Sequence, residues 1–201
     1  MNRTQPGAFA RHWVIAVAAA GLVLAVALVW PWGGQRSELP EPLQGLDARG
    51  AVALANQWAV RGEGVTTFVT SEAVHFEWPD GRKAQVPLEG DAMYVAVAPY
   101  VHQTHPCRVH YISSCRAELA EVPLRVTARD QAGRVVLQQT VTTLPNGFFE
   151  LWLPRGMELA LTIEWPEAGL VGQGRIETVK DARTCVTDIQ LAAQAAAPSE
   201  G

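Results

Sequence analysis

Residues Trp13 to Trp30, WVIAVAAAGLVLAVALVW, form an unbroken apolar run, and no other feature limits what this chain can become so strongly. A helix rises about 1.5 Å per residue, so the run would span roughly 27 Å, close to the hydrocarbon thickness of a bilayer. It has no polar face, which argues against the wall of a buried core. Arg3 and Arg11 precede it, and no acidic residue comes before Glu38. The positive-inside rule then leaves the N-terminus in the cytoplasm and sends the rest of the chain out. Trp13 at one end and Trp30 and Trp32 at the other suit the two interfacial belts. A cleaved signal peptide is the competing reading. Its apolar core is usually shorter, about 7–15 residues, and no A-x-A-like site precedes the break at Pro31 to Gly34. No cysteine immediately follows the run, which excludes a lipoprotein anchor. The expectation is a single-pass membrane helix within residues 1–32 and an extracytoplasmic body. Cleavage would instead make that body secreted or periplasmic.

Beyond the run the chain reads as a folding protein, with 48% hydrophobic and 18% charged residues. Residues 33–45, GGQRSELPEPLQG, are rich in Gly, Pro and charge and read as a stalk. Asp47 can cap a helix to about Val60, stopped by Gly62 and Gly64. Short strands follow at Val65–Val69, Ala73–Trp78 and Lys83–Leu88, with Pro79-Asp80-Gly81 as a turn. Residues 46–90 thus read as a small helix-plus-hairpin subdomain. From residue 91 to 191 the pattern is β throughout. Strands are expected at Tyr94–Ala98, Val122–Arg129, Arg134–Val141, Phe148–Leu153, Glu158–Trp165, Leu170–Val179 and Thr184–Leu191. The turns are Asp130–Gly133, Pro145-Asn146-Gly147 and Pro154-Arg155-Gly156. Their spacing predicts an antiparallel β-sandwich-like domain, so the chain is mainly β, α+β overall. Residues 192–201 read as a flexible Ala-rich tail.

One stretch is not scaffold. Three of the five histidines and two of the three cysteines fall between His102 and Cys115, as His102, His105, Cys107, His110 and Cys115. Cys185 lies far off in sequence but within the same β domain. Several donors must converge within about 2 Å of a metal ion, and local sequence brings them together at the least loop-closure cost. Thiolate and imidazole select Cu(I) or Zn(II), whereas Mg or Ca would want carboxylates. The spacing H-x2-H-x-C-x2-H-x4-C matches no common zinc-finger pattern, yet donor softness does not separate copper from zinc. His12 and His75 have no such company and read as surface or interface residues. The bland alternative is a disulfide staple between Cys115 and Cys185 with one odd thiol left. That leaves the packing of His105, Cys107 and His110 unexplained. Net charge −4 argues against a nucleic-acid partner. No G-x-S-x-G, H-E-x-x-H or phosphate loop is present, so hydrolysis and phosphoryl transfer are poor readings.

The run T-H-P-C-R-V-H-Y-I-S-S-C-R-A-E-L, Thr104 to Leu119, resembles the T-H-x-C-x-x-H-x-x-x-x-C-x-x-E-L signature of CueP-like extracytoplasmic copper-binding proteins. The stretches T-T-L-P-N-G-F-F-E-L-W-L-P-R, Thr142 to Arg155, and D-A-R-T-C-V-T-D-I-Q-L, Asp181 to Leu191, match as well. The resemblance covers roughly residues 43–191 and leaves out the membrane run. Tyr111 stands where the family has a small residue, and Ala117 where it has Gly. His102 lies outside the family pattern. The resemblance implies copper binding at His105, Cys107, His110, Cys115 and Cys185, and a link to copper resistance. It also implies thiol-based reduction of Cu(II) and Fe(III), supply of copper to a copper-requiring superoxide dismutase, and homodimerisation through the N-terminal part. Two thiols carry the electrons to reduce two Cu(II) ions as one disulfide forms. The third would hold the Cu(I) product, and an outside thiol-disulfide reductase would reset the pair. Such chemistry is stoichiometric unless reset, which makes "enzyme" a doubtful label. Cys107 sits among the histidines, so Cys115 and Cys185 are the expected disulfide pair and Cys107 the retained ligand.

Overall fold

Asp47 starts a helix because its side chain accepts a hydrogen bond from Gly50 N–H at 2.7 Å. The helix, α1 (Ala48–Arg61), ends where Gly62 takes a left-handed conformation and donates to Trp58 O. Gly50 interrupts the apolar spacing of the segment, and its amide is the cap's donor. The computed structural model describes residues 39–194; the apolar run Trp13–Trp30, the stalk up to residue 38 and the tail from residue 195 lie outside them. Among the described residues, no helix is long and apolar enough to cross a membrane.

β1 (Thr66–Val69), β2 (Ala73–Glu77) and β3 (Lys83–Pro87) form a three-stranded antiparallel sheet. The buried face of α1, with Val52 and Ala55, shares a hydrophobic cluster with Phe76 of β2 and Val86 of β3. The remaining strands are β4 (Ala92–Val97), β5 (Pro123–Arg129), β6 (Val135–Thr142), β7 (Phe149–Pro154), β8 (Glu158–Trp165), β9 (Leu170–Glu177), β10 (Cys185–Val186) and β11 (Ala192–Ala193). They make a small sheet in the order β10-β4-β7 and a larger one in the order β11-β9-β8-β5-β6.

β4 is buried on both faces, and its alternation divides two cores. Met93, Val95 and Val97 pack with Leu124, Val126, Leu161 and Ile163 of the larger sheet. Tyr94, Ala96 and Ala98 pack with the α1 side, together with Ile112, Phe148 and Cys185. The chain is thus mainly β with antiparallel sheets, as its spacing predicts.

Two expectations need correction. A single strand was expected over Thr184–Leu191, in a purely antiparallel set. Instead β10 is two residues long and runs parallel to β4, with Cys185 opposite Ala96. The chain then crosses to the larger sheet, where Gly172 and Gly174 make room for it: a Cβ on Gly172 would lie 2.6 Å from Gln190 O, and one on Gly174 2.6 Å from the Ile189 side chain. The second correction concerns the tail, whose first residues, Ala192 and Ala193, pair antiparallel with β9.

Candidate metal centre

After β4 the chain runs as an irregular loop to β5, and this loop carries every candidate ligand except Cys185. Two threonines beside Cys185 pin it. The Thr187 hydroxyl donates to His105 O at 2.7 Å, and the Thr104 hydroxyl donates to Thr187 O. His110 N–H donates to Thr184 Oγ1 at 3.2 Å, while its carbonyl accepts from Val69 N–H at 2.9 Å. The Thr184 hydroxyl in turn donates to Val69 O. Thr184 therefore ties β1, the loop and β10 to one point, and the backbone of Cys185 follows by donating to Arg108 O at 3.3 Å.

Glu118 holds the other end of the loop. Its carboxylate accepts from the backbone N–H groups of Val101 at 2.9 Å, His102 at 3.0 Å and Gln103 at 3.3 Å, and lies 2.7 Å from His102 Nδ1. Partial burial works against ionisation, but these hydrogen bonds prevail and hold the carboxyl down at about 2.

The three cysteines converge. Cys107 and Cys185 form a disulfide, with Cα atoms 5.6 Å apart, and Cys115 is free. The expected Cys115–Cys185 pair is therefore corrected. Cys107, half-buried on the loop, faces the edge strand β10, whereas the turn Tyr111–Cys115, closed by Cys115 N–H on Tyr111 O at 2.8 Å, sets the Cys115 sulfur 3.8 Å from that of Cys107. Two overlapping ligand groups result: His105, Cys107 and Cys115, partly exposed, and His110, Cys115 and Cys185, largely buried. Within each group the ligand atoms lie within 4.8 Å of one another. Cys115 belongs to both.

His110 has no exposed surface, and neither of its ring nitrogens has a hydrogen-bond partner. Its ring lies 4.5 Å from that of Phe148. Burial, with nearby His105 adding to it, lowers its pKa to about 3, so the imidazole is neutral and both its faces of chemistry, donor and acceptor, are unspent. Burial also raises the Cys115 thiol, against the Tyr111 hydrogen bond and Arg116. A soft metal ion would satisfy both groups at once.

His102 lies in neither ligand group; it is exposed and bonded to Glu118. His75 is in neither ligand group: its Nε2 lies 3.1 Å from Thr70 Oγ1, and its ring stacks on Phe68 at 4.6 Å. His12 falls outside the described residues. Residue-by-residue reading gave no role to Thr184, Thr187 or Glu118. All three stand inside the matched motifs, which was the available signal.

The family model described as periplasmic copper-binding protein CueP matches residues 52–190. This chain belongs to the CueP family. The crystal structure of S.CueP is similar to it, with 30% sequence identity and a TM-score of 0.67 over 75% of this chain and 92% of that one. No curated protein matches. CueP is a periplasmic copper-binding family, which agrees with the soft donor set and with an extracytoplasmic body.

Proposed function

We propose that this chain captures copper at the Cys/His cluster and reduces Cu(II) to Cu(I) with its own thiols. The observation that carries this reading is His110, fully buried with two unpartnered ring nitrogens beside the sulfurs of Cys115 and Cys185. A buried polar group without a partner costs about 1–3 kcal/mol, and a bound metal ion would remove that penalty.

Reduced protein offers three thiols. Cys107 and Cys185 each give one electron to a Cu(II) ion. Both S–H bonds break, one S–S bond forms, two protons leave and two Cu(I) ions result. Cys115 stays out of the disulfide beside His105 and His110, a soft set suited to holding Cu(I) once the Cys115 thiol gives its proton to solvent. A thiol-disulfide reductase outside the membrane would restore the dithiol for a further round. Removal of Cu(II) in this way suits copper resistance, and the Cu(I) product suits delivery to a copper-requiring enzyme such as a superoxide dismutase. The apolar run Trp13–Trp30 would keep the body near the membrane surface.

The test mixes fully reduced protein with excess Cu(II), follows Cu(I) with a specific chelator and counts thiols. About two Cu(I) per disulfide, with the disulfide mapped to Cys107–Cys185 and lost in Cys107→Ser and Cys185→Ser, is the expected result. Cu(II) held with every thiol still free would show binding without reduction. Stoichiometric zinc, not copper, in protein purified without a tag would favour the zinc reading.

A further inference from the structure

Of the candidate ligands, His102 alone stands outside both thiol-containing groups, and it is held in place by a device of its own. Its side chain is 82% exposed, yet Nδ1 lies 2.7 Å from Glu118 Oε1. The other Glu118 oxygen accepts from the backbone N–H groups of Val101, His102 and Gln103, which fixes the carboxylate on the loop. A carboxylate only accepts, so Nδ1 carries the proton and the neutral ring keeps its lone pair at Nε2, on the solvent side. A carboxylate orients a metal-binding imidazole in the same way. Glu118 also lines an open cleft of about 250 Å³ together with Gln103, Thr104, His105 and Arg116. His105, of the partly exposed ligand group, therefore opens onto the cleft that the anchor of His102 borders.

We propose that His102 is the entry ligand for Cu(II), its Nε2 taking the ion from solvent beside this cleft and passing it to His105 and the thiols. The inference rests on the Cys/His cluster being the place where Cu(II) is reduced. The transfer exchanges a bond from copper to His102 Nε2 for a bond from copper to a His105 ring nitrogen. No electron moves in this step, and no proton.

Donor hardness separates the two stations. Cu(II) is well served by imidazole nitrogen and oxygen, whereas Cu(I) prefers sulfur. The His102–Glu118 pair includes no sulfur, so it suits the ion before reduction, and the cysteines suit it afterwards. Among first-row divalent ions, Cu(II) binds a nitrogen and oxygen set most firmly. One imidazole with water in the remaining positions holds even Cu(II) weakly, and a hand-over needs that. Of the charged groups lining the cleft, Arg116 is turned to Cys115 O through Nη1 at 2.8 Å, and Glu118 supplies the opposing charge. His75 is the internal control, because its Nε2 is spent on Thr70 Oγ1.

The test has two readouts. Protein with the Cys107–Cys185 disulfide formed and Cys115 alkylated holds no thiol that could reduce copper. With one equivalent of Cu(II) at neutral pH, its pulsed EPR spectrum should show imidazole remote-nitrogen modulation that is largely lost in His102→Asn and kept in His75→Ala. The Asn amide can still donate to Glu118 but offers no nitrogen lone pair, so the loop clamp is spared. In the second readout, fully reduced wild type and His102→Asn meet increasing Cu(II), and Cu(I) formation is followed with a specific chelator. The Cu(II) concentration for half-maximal rate should rise about 10-fold, with the limiting rate within about twofold, the pattern of a lost binding contact. A merely structural role would lower the limiting rate instead. Modulation unchanged in His102→Asn, or a rate defect that persists at saturating Cu(II), would overturn the inference while leaving the cysteine chemistry standing. A His102-dependent signal in protein whose reduced form makes no Cu(I) would keep the entry ligand and overturn the reduction.

Discussion

Cys115 is shared by both ligand groups, so its loss should damage copper binding most. Cys115→Ser should weaken Cu(I) affinity on the order of 100-fold, about 2.7 kcal/mol. Cys107→Ser should also weaken it strongly, His102→Ala only modestly, and His75→Ala less than twofold. Competition against a chromophoric Cu(I) chelator gives the ranking, and a Cys115 variant that binds like wild type would remove this thiol from the site. His110 makes a second prediction, about pH. Its folded pKa of about 3 lies below the unfolded value near 6.5. As pH falls through that window the unfolded chain takes up a proton and the folded one does not. Apo protein should therefore carry no protonation penalty from this residue above pH 6.5 and lose up to about 1.4 kcal/mol of stability per pH unit from there towards pH 3. Denaturant unfolding at several pH values should show a steep acid slope that His110→Gln flattens. An unchanged slope would mean that His110 titrates normally in the fold.

The turn at Pro145-Asn146-Gly147 does more than reverse the chain. Gly147 has φ 84°, and a Cβ there would sit 2.6 Å from Ala117 O, in the segment between Cys115 and Glu118. Gly147→Ala should cost about 1–3 kcal/mol of strain and should weaken Cu(I) binding, because Cys115 must shift with its segment. Gly133→Ala is the control: φ is 78°, but nothing lies within 4 Å, so stability should fall while copper affinity stays. Thermal melts and chelator competition on both variants check the difference. Elements of this kind were legible in the sequence wherever a local signal marked them. Asp47 and Gly62 bounded α1, Asp130 and Gly133 the β5–β6 hairpin, and the turn Pro154-Arg155-Gly156 separated β7 from β8. β10 was not legible at its true length, because a two-residue parallel pairing on the edge of β4 leaves no alternation to read. Its following residues look strand-like because Ile189 and Leu191 fill the larger sheet's core, not because they belong to a continuous strand.

At the scale of the whole molecule, the cluster of His105, Cys107, His110 and Cys115 was visible in sequence because its members are neighbours, and Cys185 joined it by type and motif. The disulfide partner was not visible. It depends on which sulfur faces β10, and that is set by Thr184 and Thr187 tying the loop across 74 and 82 residues of chain. The apolar run supports a prediction of topology: protease added to intact spheroplasts should remove the β domain, and full protection of that domain would contradict an outward orientation. The centre itself is tested most directly by X-ray absorption at the copper edge on fully reduced protein loaded with one Cu(I). The expected spectrum shows mixed sulfur and imidazole ligation, with the imidazole signature reduced in His110→Ala and sulfur reduced in Cys115→Ser. A copper shell without sulfur, or one unchanged in both variants, would contradict the assignment of copper to this cluster.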